Sequence, residues 1–462
     1  MHTSGWMWAA AGCVFLQACA PVTPRPDAGL PVAPEAYEYS ASDQISGVQP
    51  APQWWQAFGS QALDALMQEA EADVAVLRQA QARVLQARAQ ARMAGASLWP
   101  ELEGSVTAQR DAPFVRRHGT GESQYQAGLL MRYELDVWGR NSALADSALL
   151  QAEAAAYELD VLRVSVQGQV VHLWLQAVGD AQRLRIARDN LAVAQRLLEL
   201  LDVRAQAGAA SPLERAQQRG LLASQQRALY VLQENAALKR LELGALLGRP
   251  RAVAEPQDDI AALRVPQVDA GLPSALLAQR PDVARSEASL AAAHADLRAA
   301  RAALYPRLTL GASVGAKGDH WDSSLEHPIY SLLGGLVAPV FNAGRLAAGQ
   351  DLSDARLQEW LAQYRQTVVQ AYIEVEEVLA RLHALDGQAQ ANEQEWRQAE
   401  LALRLAETRY RSGSETLLTL LDAQRSFYAA QDTRVGLMQA RLQSRAALFK
   451  ALGGGWQAAT PS

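Results

Sequence analysis

Few side chains in this chain could carry covalent or metal chemistry. Its two cysteines, Cys13 and Cys19, both sit at the extreme N-terminus, so no paired-cysteine metal motif can form in the body. Three histidines fall in polar segments, His118, His320 and His327, the last two close to Asp319, Asp322 and Glu326. Imidazoles beside carboxylates can bind a surface cation, but solvated loop residues have the same composition. Neither a His-Glu-x-x-His pair nor a glycine-rich phosphate loop occurs. The expectation is a protein that is not an enzyme, with no resident metal. What remains is the Cys19 thiol and the elements that position everything else.

Gly5 to Leu16 is a twelve-residue apolar run, the length of a signal-peptide core and short of the ~18 residues a membrane-spanning helix needs. No later run is longer. The run leads into Leu16-Gln17-Ala18-Cys19, which resembles the lipobox of bacterial lipoproteins. That resemblance implies removal of residues 1–18 and a diacylglyceryl group on Cys19, a covalent lipid and the only prosthetic group expected. Ala20 after the cysteine, in place of Asp, implies sorting to the outer membrane. The sequence departs from the pattern in one respect: no Lys or Arg precedes the apolar run, where only His2 and the amino terminus supply positive charge. An ordinary cleaved signal with a coincidental cysteine is the alternative. Seven prolines between residues 20 and 52 make the first part of segment 19–60 an extended tether.

The rest has a folding composition, 49% hydrophobic and 20% charged, with a net charge of -6. An acidic balance argues against nucleic acid as a partner. The body is one unit written twice. Leu98-Trp99-Pro100-Glu101-Leu102 returns as Leu304-Tyr305-Pro306-Arg307-Leu308, 206 residues later. Gly139-Arg140 returns at Gly344-Arg345, Gly208 at Gly413 and Leu247-Gly248 at Leu452-Gly453, each 205 residues later. A period that long marks a duplicated domain, not a solenoid repeat. The halves cover 61–248 and 273–453, with a linker at 249–272 and a tail at 454–462.

Each half predicts the same order: a helix (61–97; 273–304), a strand pair (101–137; 306–340), a very long helix (139–206; 344–411) and a last helix (213–247; 418–452). A helix of about 68 residues reaches ~100 Å, more than a compact core can hold. Along the first long helix Leu159, Leu162, Val166, Val170, Leu173, Ala177, Ala181 and Leu184 recur every three or four residues, the coiled-coil spacing. The helices alone fit a plain coiled-coil rod equally well.

The strands separate these readings. Leu102, Val106 and Ala108 alternate with Glu103, Ser105 and Thr107; Tyr125 to Val137 and Leu308 to Ala316 alternate likewise, and 330–340 less cleanly. A membrane strand needs ~9–11 residues with one lipid face and one lumen face. Soluble hairpins packed on one face would also alternate. Long polar turns at 112–123 and 317–328 favour the membrane, as do Trp99, Trp138, Tyr305 and Phe341, which stand where strands meet helices, the level of an interfacial aromatic girdle. Four strands cannot close a barrel, so copies must pool strands. Three copies give twelve strands; two copies, giving eight, satisfy the arithmetic too.

Taken together, these residues resemble the outer-membrane efflux proteins, the lipoprotein branch of the TolC-like exit ducts. The resemblance rests on Trp54-Trp55-Gln56-Ala57-Phe58, Gln279-Arg280-Pro281-Asp282-Val283, Tyr410-Arg411-Ser412-Gly413, Leu420-Leu421-Asp422-Ala423-Gln424-Arg425 and Gly453-Gly454-Gly455-Trp456, and it spans nearly the whole mature chain. It implies a mainly helical fold with a small β part, four transmembrane strands per chain, and a homotrimer forming a β-barrel continued by an α-barrel. It implies passive conduction of small molecules, drugs foremost, driven by an inner-membrane transporter through a periplasmic adaptor. By motif position it implies a carboxylate ring at the periplasmic tip from Asp422, with Leu418 and Arg425 one turn to either side. A solvated acid near a helix start is the bland reading of Asp422. Gly208 and Gly413 mark the helix turns that would meet the adaptor. An adaptor lipoprotein or a structural rod are the rival readings; the 205-residue duplication with paired amphipathic strands opposes both. Metal ions, aromatic metabolites and secreted proteins are alternative cargoes.

Overall fold

The computed structural model describes residues 33–39, 51–112, 122–266, 268, 270–320 and 328–457. The signal segment, Cys19, His118, His327, Asp322 and Glu326 lie outside the described residues. In chain order come α1 (Gln61–Asp73), α2 (Ala75–Ala96), β1 (Glu101–Asp111), β2 (Glu122–Leu135), α3 (Arg140–Gln206), α4 (Pro212–Leu246), α5 (Pro273–Leu276), α6 (Pro281–Ala302), β3 (Arg307–Gly318), β4 (Pro328–Val337), α7 (Arg345–Arg411) and α8 (Leu417–Ala451).

Two expected helices are each broken near one end, at equivalent positions. The helix expected over 61–97 is interrupted at Val74, whose backbone is extended (φ -69°, ψ 126°). The helix expected over 273–304 is interrupted at Arg280 (φ -110°, ψ 122°), 206 residues on. Proline forces the second break, because Pro281 pushes the residue before it out of the helical region. Burial holds the first: Val74 and Leu77 sit in the same apolar cluster as Leu66, Met67 and Val171.

The two 67-residue helices α3 and α7 are launched by local caps. Asp136 accepts the backbone N–H groups of Asn141 (2.8 Å) and Ser142 (2.7 Å). Burial pushes the Asp136 carboxyl up, but these donors outweigh it and hold its pKa below the usual value. Asn342, the counterpart, accepts from Leu346 N (3.2 Å). At the far end Ser211 and Glu214 form a capping box with Pro212 in the first turn, and Thr416 caps α8.

Helices pack as two successive rows. Near the sheet the order is α2, α3, α6, α7; further along it is α4, α3, α8, α7. Where the rows meet, short segments cover the outside. Trp54, Trp55 and Phe58 pack with α1 onto Val170, Trp174 and Val178 of α3, and Trp54 stacks on Phe449 (4.9 Å, 18°). On the other half Tyr37 is buried against Val368, Tyr372 and Val375 of α7.

Arg280 ties this region together. Its side chain is 7% exposed and contacts Asp282 (2.6 Å), Glu374 (2.8 Å) and the Ala451 carbonyl (2.8 Å). Burial alone would raise the Asp282 pKa; the Arg280 guanidinium outweighs burial and keeps it low. Removing one member of a buried pair leaves the other charge stranded. Arg280→Leu is therefore expected to destabilise the fold by about 2–3 kcal/mol, discounted from the fully buried case because Glu374 is partly exposed. Urea unfolding followed by tryptophan fluorescence measures it. Because the folded-state pKa of Asp282 is depressed, its contribution is present above about pH 4 and is lost as pH falls through the folded pKa. The acid limb of the unfolding curve should move to higher pH in Arg280→Leu.

Candidate membrane sheet and periplasmic tip

The four strands form one antiparallel sheet in the order β1-β2-β3-β4. Register places Leu102 opposite Met131, Met131 opposite Ala312 and Ala312 opposite Leu332, so the apolar residues of all four strands share one face. That face is open: Leu102 is 65% exposed, Val106 69% and Leu332 79%. Neither β1 nor β4 has a second partner among the described residues.

The opposite face is polar and internally paired. Arg132 bonds Glu103 (2.7 Å), Arg140 grips Glu134 with two nitrogens, and Ser313 meets Ser331 (2.7 Å). On this face the backbones of β2 and β3 crowd each other at one level. A Cβ built on Gly315 would lie 2.8 Å from the Ala127 carbonyl oxygen, and one on Gly128 3.1 Å from the Val314 carbonyl oxygen. On the apolar face a Cβ at Gly334 would meet nothing within 4 Å. Glycine at 128 and 315 lets the backbones of β2 and β3 approach this closely.

Strand β4 runs Pro328–Val337, earlier than the expected 330–340, and leaves Phe341 beyond its end. It is apolar on both faces, since Ile329, Leu333 and Val337 project from the polar side. Leu333 lies beside Gly311, where a Cβ would come 3.5 Å from its own. The missing glycine side chain leaves the leucine room to lie along the sheet.

Where strands meet helices, Trp138 stacks on Tyr305 (4.9 Å, 21°) and its indole N–H donates to the Pro306 carbonyl (2.7 Å). Trp99 and Phe341 are exposed at the same junctions, 75% and 88%. These four aromatics are thus brought to one end of the sheet.

At the far end Gly208 (φ 72°) and Gly413 (φ 76°) take the left-handed conformation that ends α3 and α7. Asp422 is exposed, and Arg425 of the same helix approaches it at 3.5 Å. Leu418 is exposed as well. Within a single chain these three share the first turns of α8 and touch nothing across an axis. Sequence reasoning missed the contact joining the two long helices there. The Arg204 guanidinium lies over the Tyr410 ring (5.3 Å), beside a cluster of Leu201, Leu417, Leu420 and Leu421. Both residues flank the repeated glycine turn, which was the available signal. His320 is exposed, and no group of His, Cys, Asp and Glu fit to hold a metal occurs among the described residues. No helix among them is long and apolar enough to cross a membrane.

A family model described as outer membrane efflux protein matches residues 66–249 and again 272–454. The pyoverdine export outer membrane protein OpmQ of Pseudomonas putida is 41% identical over 458 residues, covering 97% of both chains. The cation efflux system protein CusC of Escherichia coli is 30% identical over 413 residues, covering 87% of this chain and 88% of that one. Among solved structures, the open state of the Neisseria gonorrhoeae MtrE outer membrane channel superposes with a TM-score of 0.86 at 25% identity, over 96% of this chain and 99% of that one. A CusC crystal structure superposes at 0.83 and 26%, over 93% and 99%.

The glycine pair yields a controlled test of the sheet. Gly315→Val drives a side chain into the Ala127 carbonyl and is expected to cut folded protein in outer-membrane fractions severalfold. Gly334→Val, in open space, is expected to leave it unchanged. Quantitative immunoblotting of membrane fractions with and without heating reads both.

Proposed function

The chain belongs to the outer membrane efflux protein family, and on that premise we propose that three copies close into one passive duct, fed by a periplasmic adaptor and an inner-membrane transporter. The chain is an outer-membrane efflux channel that extends into the periplasm; the trimer, its partners and its gate are the proposed parts.

One observation carries the proposal: every layer is open at the same two sides. The sheet ends in β1 on one side and β4 on the other. The helix rows end in α2 and α4 on the first side and in α7 along the whole of the second. An unpaired strand edge in hydrocarbon costs several kcal/mol per orphaned group. Three sheets of four strands supply twelve, an even number within the range of closed outer-membrane barrels. The same rotation brings α7 of one copy against α2 and α4 of the next. Large apolar side chains stand exposed on both sides: Tyr230, Leu238 and Leu241 on α4, Trp360, Val369 and Ile373 on α7.

Threefold assembly also gives Asp422 a role. Three carboxylates around one axis, with Leu418 and Arg425 beside them, form a ring that narrows the tip and attracts cations. The turns at Gly208 and Gly413 face the adaptor. A lipid on Cys19 anchors the tether. For cargo, two Pseudomonas relatives at 41% identity are named for pyoverdine export. A small organic molecule of that kind is the proposed cargo, ahead of the metal ions and solvents named in more distant relatives.

Deletion of the gene should lower export of the strain's pyoverdine-type product, measured by mass spectrometry of the medium. Unchanged export with a lost solvent or metal tolerance would reassign the cargo. Trp360→Glu puts a charge into the proposed seam and should convert trimers to single chains in size-exclusion chromatography with light scattering. Asp422→Ala should raise the conductance of the closed duct in planar bilayers; conductance equal to wild type would remove Asp422 from the gate.

A further inference from the structure

The apolar face of the sheet ends in a polar row that none of the foregoing uses. Cross-strand register sorts this face into levels. The level nearest the helices holds Leu135, Leu308 and Leu336; the level nearest the hairpin turns holds Arg110 and Ser123. Between them stand Leu, Val, Ala, Met, Gly, Pro and Tyr only. Among the described strand residues Arg110 is the sole charge on this face, and Ser123 lies directly across the ladder from it. Tyr125 lies one level below Ser123 on the same face.

The height of this row is set by the strands. From Leu135 to Ser123 is twelve residues along β2, or ~40 Å at ~3.3 Å each, which a tilt of ~40° reduces to ~30 Å. That is the thickness of a hydrocarbon layer. With Trp138 and Tyr305 at the inner boundary, Arg110 stands at the outer one. A charged side chain on a lipid face is strongly disfavoured at mid-depth and nearly free of cost at the interface. No described neighbour neutralises it. Asp111 points to the other face and binds Gln109 (3.0 Å), and Arg110 makes no ion pair among the described residues. The fixed fork of a guanidinium matches phosphate oxygens, and hydroxyls at its side add donors.

We propose that Arg110, with the Ser123 hydroxyl and the Tyr125 phenol, binds a phosphate of the phosphorylated glycolipid of the outer leaflet. The site takes the lipid A headgroup class and fixes the depth of each copy in the membrane. This rests on the reading that the sheet spans the outer membrane with its hairpin turns outside.

Native mass spectrometry of the full-length protein in detergent tests it, with diphosphoryl lipid A, fully dephosphorylated lipid A and phosphatidylcholine as probes. Wild type should bind diphosphoryl lipid A about tenfold more tightly than the dephosphorylated form, as expected for loss of a charge-assisted contact. Arg110→Gln should lose that preference, and Arg110→Lys should keep part of it. Equal binding of the phosphorylated and dephosphorylated forms by wild type, or an undiminished preference in Arg110→Gln, would overturn the site. Pore formation in planar bilayers by the same preparations separates the two levels. Wild type that forms pores without a phosphate preference refutes the lipid site alone; wild type that forms no pores refutes the membrane reading beneath it.

Discussion

Unsatisfied backbone at the edges of one sheet governs the rest of this molecule. β1 and β4 each present a row of N–H and C=O groups with no partner among the described residues. Water would absorb that cost for a soluble sheet; hydrocarbon cannot. Leucines 65–79% exposed on one face of the sheet suit the lipid of the outer membrane, where this family resides. The proposed solution is pairing with strands of further copies. Gly128 and Gly315 allow β2 and β3 to approach closely where any side chain would meet backbone.

The helices follow the strands because they grow out of them. Each long helix begins within a few residues of a strand end, capped by Asp136 or Asn342, so strand spacing sets helix spacing at the junction. Further down α3 and α7 are held by packing on neighbours and on the outer segments, and by ion pairs such as Arg183–Asp432 and Arg441–Asp386. That explains where the largest buried side chains lie. Trp174, Phe58 and Met67 are massed halfway along, where α2 and α6 give way to α4 and α8. Arg280 sits at the same level, joining the start of α6, the middle of α7 and the end of α8 through charge instead of apolar area.

Most of this architecture was legible in the sequence, because period-two and period-3.5 patterns report which face is buried whatever buries it. The illegible parts have physical reasons. Val74 breaks a helix without Gly or Pro, through tertiary burial that no local signal carries. β4 blurs its alternation because Leu333 fills the room left by Gly311 on a neighbouring strand. The tip was legible only by motif. Asp422 in one chain is an exposed acid beside Arg425, as any solvated pair would be. Its proposed chemistry needs an axis that one chain does not contain. Arg204 and Tyr410 were readable as flanks of a repeated turn, but their contact spans 206 residues and depends on how α3 meets α7.

The duplication itself is unequal by one residue, and the inequality falls at a single junction. Landmarks up to Asp136 and Asn342 are 206 apart; from Gly139 and Gly344 onward they are 205 apart. Asp136 is followed by Val137 and Trp138 before the glycine, whereas Asn342 is followed by Ala343 alone. The shorter connection forces Ala343 to φ 50°, the only non-glycine residue at positive φ among the described residues, a conformation that costs an L-residue about 1–2 kcal/mol. The longer connection is relaxed and uses its extra residue to place Trp138 on Tyr305 and on the Pro306 carbonyl. The cap geometry registers the same difference. Asp136 reaches residues five and six ahead, while Asn342 reaches four. One inserted residue therefore makes the two strand-to-helix junctions inequivalent. The first locks β2 to β3 at the inner membrane boundary. The second, next to β4, makes no matching contact among the described residues: Phe341 is 88% exposed there.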